Sequence, residues 1–134
     1  MAGYSGTPLA RKLGIRDGSR VLLDGAPGAF DIGPLPGDDV EVDLEPTAGA
    51  YDVILCFCAD RARLTTRWPA LHAATTTGGA LWIAWPKKAS KVPTDLDENV
   101  VRDWALANGR VDVKVCAVDE TWSGLKNVVR VADR

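Results

Sequence analysis

The sequence predicts an α/β domain whose sheet is mostly parallel and covered by helices on both faces. Three observations predict it. Tyr51 to Cys58 and Ala80 to Trp85 are apolar at nearly every position, the pattern of strands buried on both sides. Apolar residues at helical spacing follow each of these runs. Two alternating runs then close the chain, the pattern of an antiparallel pair. Strands alternating with helices, joined by right-handed crossovers, leave few other architectures.

The elements are justified in chain order. Ser5 or Thr7 can cap a first helical turn, with Pro8 at its first position, and Leu9, Leu13 and Ile15 form its apolar stripe. Val21-Leu22-Leu23 reads as a short buried strand. Between Gly25 and Asp39 the prolines and glycines leave room for at most a turn or two of helix. Val40, Val42 and Leu44 alternate with Glu41 and Asp43, as on a half-exposed edge strand.

Tyr51 to Cys58 is the central strand, after which Asp60 caps a helix carrying Leu64, Trp68 and Leu71. Pro69 should kink or restart that helix, and Thr77-Gly78-Gly79 should stop it. The strand Ala80 to Trp85 ends at Pro86. Thr94 to Glu98 offers caps for a last helix with Leu96, Val100, Trp104 and Ala107 on its buried stripe. Val111 to Val118 and Leu125 to Val131 form the terminal pair, joined by a turn from Asp119 to Gly124. The whole is a Rossmann-like domain with one antiparallel strand near its C-terminus.

The length of 134 residues fits one domain, residues 1–134, able to bury a core without staples. A formal net charge of -2 argues against an electrostatic grip on nucleic acid or on an anionic membrane surface. No run approaches the roughly 20 apolar residues of a membrane helix, and Met1-Ala2-Gly3-Tyr4 begins no signal peptide, so a cytoplasmic location is expected. Three cysteines at no framework spacing agree with a reducing compartment. Cys56 and Cys58 should share one strand face, as a metal or redox pair or as two small core residues. With His72 as the only histidine, no metal site is expected, and a Ser-His nucleophile is disfavoured.

The stretch from Tyr51 to Trp85 resembles the second half of class I S-adenosylmethionine-dependent methyltransferases. Its carriers are a strand opened by Tyr-Asp, a helix, and then Gly-Gly-Ala-Leu-Trp-Ile. The terminal strand pair resembles that fold too. The resemblance implies a methyltransferase-like but truncated fold, with S-adenosylmethionine as a candidate cofactor held by Asp24, Gly25, Gly28 and Glu45. In that family a glycine-rich loop follows strand one and its backbone approaches the cofactor. Here Asp24-Gly25-Ala26-Pro27-Gly28 has two glycines, and its proline lacks an amide donor. Glu45 lies about twenty residues on, near the spacing of a ribose-binding carboxylate, and reads equally as a solvated loop charge. A strand-helix-strand unit before Tyr51 is missing.

A finer resemblance rests on Tyr4-Ser5-Gly6-Thr7-Pro8-Leu9, Lys12-Leu13-Gly14-Ile15, Leu81 to Lys88 and Val113 to Lys126. These segments resemble the bacterial family called domain of unknown function 3052. That resemblance implies a bacterial cytoplasmic protein and carries over no catalytic residues.

Ligands of open α/β sheets bind beyond the carboxyl ends of the parallel strands. That rule gathers Asp24 to Gly28, Ala59 to Arg61, Pro86 to Lys88 and Asp119 to Trp122. Lys87 and Lys88, with Thr94 at the next helix start, can hold a phosphate or carboxylate, or can be solvated loop charges. Asp119 and Glu120 can perform acid–base work, or pair with those lysines. Trp122, expected in a turn, packs on the domain, stacks on a ligand or enters a partner, and with Trp85 it can wall one pocket. Arg61, Arg63 and Arg67 read as a solvated face.

The expected function is a module that binds a small anionic ligand or a protein partner, with no catalysis required. One alternative is a minimal S-adenosylmethionine-dependent methyltransferase. The other is an interaction protein forming a homodimer through Leu125 to Val131 or through Trp122.

Overall fold

The structure, a computed structural model, describes residues 6–134, so Ser5 and its capping role lie outside the described residues. Six strands form one sheet: β1 (Arg20–Asp24), β2 (Glu41–Asp43), β3 (Tyr51–Phe57), β4 (Thr75–Pro86), β5 (Val111–Ala117) and β6 (Trp122–Val128). Three helices flank it: α1 (Leu9–Lys12), α2 (Arg61–Ala74) and α3 (Glu98–Ala107). The spatial order is β2-β1-β3-β4-β6-β5. The first four strands run parallel, and β6 is antiparallel to both its neighbours. This is the Rossmann-like arrangement that the alternation of elements predicts.

Each sheet face has its own core, because alternate strand residues point to opposite sides. Ile54, Cys56, Cys58, Leu81, Ile83 and Trp85 meet Leu64, Trp68 and Leu71 of α2 and Val101 and Ala105 of α3. The opposite face carries Val53, Leu55, Phe57, Trp82 and Ala84. Short α1 covers this second face together with Ala26, Phe30 and Ile32 from the coil after β1. That coil stands where a longer crossover helix would go, and its breakers explain why no helix forms there. Trp82 is fully buried and donates its indole N–H to the Leu13 carbonyl at 3.1 Å, tying the central sheet to the end of α1.

Several expectations need correction. α2 does not restart at Pro69 but continues from Arg61 to Ala74 and gives way to β4 at Thr75, so Thr77 to Gly79 are strand rather than helix stop. Tertiary packing of Trp68 and Leu71 outweighs the amide that Pro69 lacks. Pro8 stands at the N-cap of α1 rather than inside it. The deeply buried residues of α3 are Val101 and Ala105, with Val100 and Trp104 on the flank and Ala107 exposed. Leu44, assigned to the β2 alternation, lies beyond that strand and is exposed.

The Leu125 to Val131 run is not a sheet edge. β6 lies between β4 and β5, and β5 takes the edge. The connecting turn is shorter than expected, and Trp122 is already the first residue of β6.

Candidate functional site at the carboxyl ends of the parallel strands

Strand register brings the expected loops to one rim. Asp24 is level with Cys56, Cys56 with Ile83, and Pro86 with Trp122. The chain passes from β1 outward to β2 and then returns to β3 on the other side, so the strand order reverses between β1 and β3. In this architecture a ligand crevice forms at such a reversal.

That crevice is filled by the protein's own side chains. Arg63 Nη2 and the Arg67 guanidinium both donate to the buried Asp24 carboxylate, at 2.8 Å for Arg63 and at 2.9 and 3.1 Å for Arg67. Arg63 Nε also donates to the Phe57 carbonyl at 2.8 Å, so one guanidinium bridges the ends of β1 and β3. It lies directly on Gly25, where a Cβ would stand 2.8 Å from Arg63 Cζ and closer still to Nη2. Gly25 has φ of +71°, a backbone conformation that favours glycine. The helical spacing of Arg63 and Arg67 aims both at the same carboxylate. They are therefore not the solvated face expected; the sequence signal was an arginine pair four residues apart, following a strand that runs beside one ending in aspartate.

Beneath this cluster, Cys56 and Cys58 share the α2 face with their sulfurs 3.5 Å apart, and the Cys56 thiol donates to Asp24 Oδ2 at 3.5 Å. The contact with Cys58 and burial push the Cys56 thiol far above its usual range, so it stays protonated. Both cysteines are fully buried core residues. Among the described residues no group of three or more His, Cys, Asp or Glu could hold a metal ion.

The remaining acidic candidates are also placed. Glu45 is exposed, and its charge acts on Arg67. Sequence reasoning passed over Asp43, at the end of β2. It accepts from the Tyr51 hydroxyl at 2.6 Å, from Thr47 Oγ1 at 3.0 Å and from Arg20 Nη2 at 3.2 Å. The Tyr51 and Thr47 hydrogen bonds hold its carboxyl below the usual value. Asp43 thus locks the loop before β3.

Sheet faces divide the rest of the rim. Trp85 belongs to the α2–α3 face, while Trp122 packs edge-on against Phe57 across the sheet, with ring centroids 5.2 Å apart. They do not wall one pocket, because adjacent β4 residues, Trp85 and Pro86, point to opposite sides. Trp85 instead lines a groove of about 510 Å³ with Lys88, Thr94, Asp95, Asp97 and Glu98. Thr94 and Lys88 do meet there, but three carboxylates meet with them. Asp97 already caps α3 by accepting from Val100 N at 2.8 Å, and Asp95 accepts from Arg61 N at 2.7 Å.

Lys87 is half-buried, and its backbone N–H donates to the Thr121 carbonyl. Asp119 spends one carboxylate oxygen on Thr121 N and Trp122 N, both at 2.8 Å, which shapes its own turn. Glu120 is exposed. The ion pairs among the described residues use Arg20, Arg63, Arg67 and Arg102, so the expected pairing of Asp119 or Glu120 with Lys87 or Lys88 does not form. Gly28 has open space around it.

No protein-family profile matches the chain, and no curated protein sequence matches it. Solved structures do. The N-methyltransferase NodS from Bradyrhizobium japonicum WM9 superposes with a TM-score of 0.51 at 16% identity, over 84% of this chain and 86% of that one. A candidate methyltransferase from Thermoplasma acidophilum gives a TM-score of 0.54 at 11% identity, over 93% of this chain and 75% of that one. At such identities the likeness is one of fold: the chain has a methyltransferase-like α/β fold. No helix among the described residues is long and apolar enough to cross a membrane.

Proposed function

We propose that this chain is a methyltransferase-fold binding module, bacterial and cytoplasmic as its resemblance to the domain 3052 family implies, that recognises an anionic partner and transfers no methyl group. One observation carries the reading: Arg63 bridges the ends of β1 and β3 on top of Gly25. A cofactor cradled by this loop needs the same space, and the carboxylates at the ends of β1 and β2 are already engaged by Arg63, Arg67, Arg20 and Tyr51. Arg63 and Arg67 thus occupy the space at Asp24 and Gly25 that S-adenosylmethionine would need. Opening the site would strand the buried Asp24 carboxylate, which is costly.

Between a small anionic ligand and a protein partner, the acidic lining of the groove beside Trp85 counts against a small anion bound there and supports the partner by elimination. An anion held by Lys88 and Thr94 would meet Asp95, Asp97 and Glu98. The experiment is a thermal shift and calorimetric titration with S-adenosylmethionine at millimolar concentration. A ligand present at about 100 times its Kd stabilises a native state by about 2.7 kcal/mol, so a cofactor site gives a clear rise in Tm. No rise and no heat are expected. Saturable one-to-one binding overturns the reading in favour of a minimal methyltransferase.

A further inference from the structure

Two like charges lie side by side away from the rim, on the α1 side of the sheet. Lys114 of edge strand β5 stands directly opposite Lys126 of β6. Like charges so placed repel each other. Lys126 in turn is level with the buried Trp82 of β4, which puts both lysines on the α1 side. Arg16, just past the end of α1, joins them electrostatically; burial, Lys114 and Arg16 together lower the Lys126 pKa.

None of these three cations is among the residues forming ion pairs in the described structure, all of whose pairs use other arginines. α3 packs on β5 and β6 from the opposite face through Arg102 and Asp112, whereas α1 ends at Lys12. In a chain of net charge -2, these lysines are a local concentration of positive charge outside the ion pairs of the described residues.

We infer that the Lys114–Lys126 face is the docking surface of this module and that its partner is an acidic protein segment. The inference rests on the reading of the chain as a binding module and adds the place and the chemistry. Charge complementarity selects an acidic partner. A small molecule needs concavity, and neither the groove beside Trp85 nor the cavity between α1 and the coil after β1 includes Lys114 or Lys126, whereas an extended protein segment can lie along paired strands. The bulge between Asp112 and Lys114 twists the β5 edge and, with Lys114 on it, discourages a second copy of the chain from pairing there.

The test uses the full chain and a fluorescent decapeptide of alternating glutamate and valine, with its glutamine–valine counterpart and pyrophosphate as comparisons. The acidic peptide should bind, the glutamine peptide should not, and affinity should fall at least about tenfold between about 20 and about 300 mM salt. Lys114→Glu with Lys126→Glu should abolish binding, and the milder Lys114→Gln should weaken it while circular dichroism stays unchanged. Lys87→Ala with Lys88→Ala should leave it intact. Absence of peptide binding, or binding indifferent to Lys114 and Lys126, overturns the inference. So does pyrophosphate binding at the same residues, or self-association through them seen by sedimentation. S-adenosylmethionine binding would instead overturn the module reading, so the two failures are distinguishable.

Discussion

Arg110 Nε donates to His72 Nδ1 at 2.8 Å, joining the last turn of α2 to the entry of β5. Arg110 is 2% exposed and has no carboxylate among its hydrogen-bond partners; its guanidinium also donates to the carbonyls of Asn127 and His72. The negative end of the α2 dipole faces it and offsets part of its charge. Burial alone lowers the Arg110 pKa to about 10, which still leaves it charged at neutral pH.

This arrangement needs a neutral His72, whose lone pair accepts the Arg110 proton. Burial and then Arg110 push the imidazole below its ordinary 6.5. The unfolded chain therefore binds a proton first as pH falls, and folded stability drops from about pH 6.5 downward through the folded-state pKa. A Tm series from pH 7.5 to pH 5 should show that decline, and His72→Gln, which keeps an acceptor, should flatten it. An equal decline in both proteins would remove His72 as the cause.

Asp24 is more costly to strand than to remove. Asp24→Asn leaves two guanidiniums, with side chains 36% and 27% exposed, that can turn to water, so a loss of about 2 kcal/mol is expected. Arg63→Met with Arg67→Met leaves the carboxylate buried and unpaired, with about 3–5 kcal/mol lost. Urea unfolding of both variants measures the ordering. A double variant that is no less stable than Asp24→Asn contradicts it.

Gly25→Ala meets two obstacles at once, a φ of +71° and the Arg63 guanidinium. The strain alone should exceed about 1 kcal/mol, and displacing Arg63 should break its bond to Phe57. Gly28→Ala, in open space, should be nearly silent in the same urea series.

Tyr51→Phe removes the donor that does most to hold Asp43 ionised, and the acceptor for Thr47 N at 3.1 Å. Stability should fall by about 1 kcal/mol. The Asp43 carboxyl should titrate closer to its ordinary 3.8 when followed by carbon NMR. An unchanged titration would assign the effect to Thr47 and Arg20 instead.

The amino-acid sequence by itself determined the layered α/β plan, both central strands, the Asp60 cap and the antiparallel ending. These follow from local periodicity and turn chemistry, which are written in neighbouring residues. It also showed which loops share a rim, because parallel strands put their carboxyl ends on one side. Only the tertiary structure decided that Arg63 and Arg67 converge on Asp24, that Trp85 and Trp122 face opposite ways, and that β6 lies inside the sheet while β5 forms its edge. Those facts join residues some 40 positions apart, Arg63 and Asp24 among them. Sequence spacing says nothing about which charge finds which partner once a shared sheet brings distant strands into register. The same limit hid the Lys114–Lys126 pair, whose meaning appears only when the two strands lie side by side.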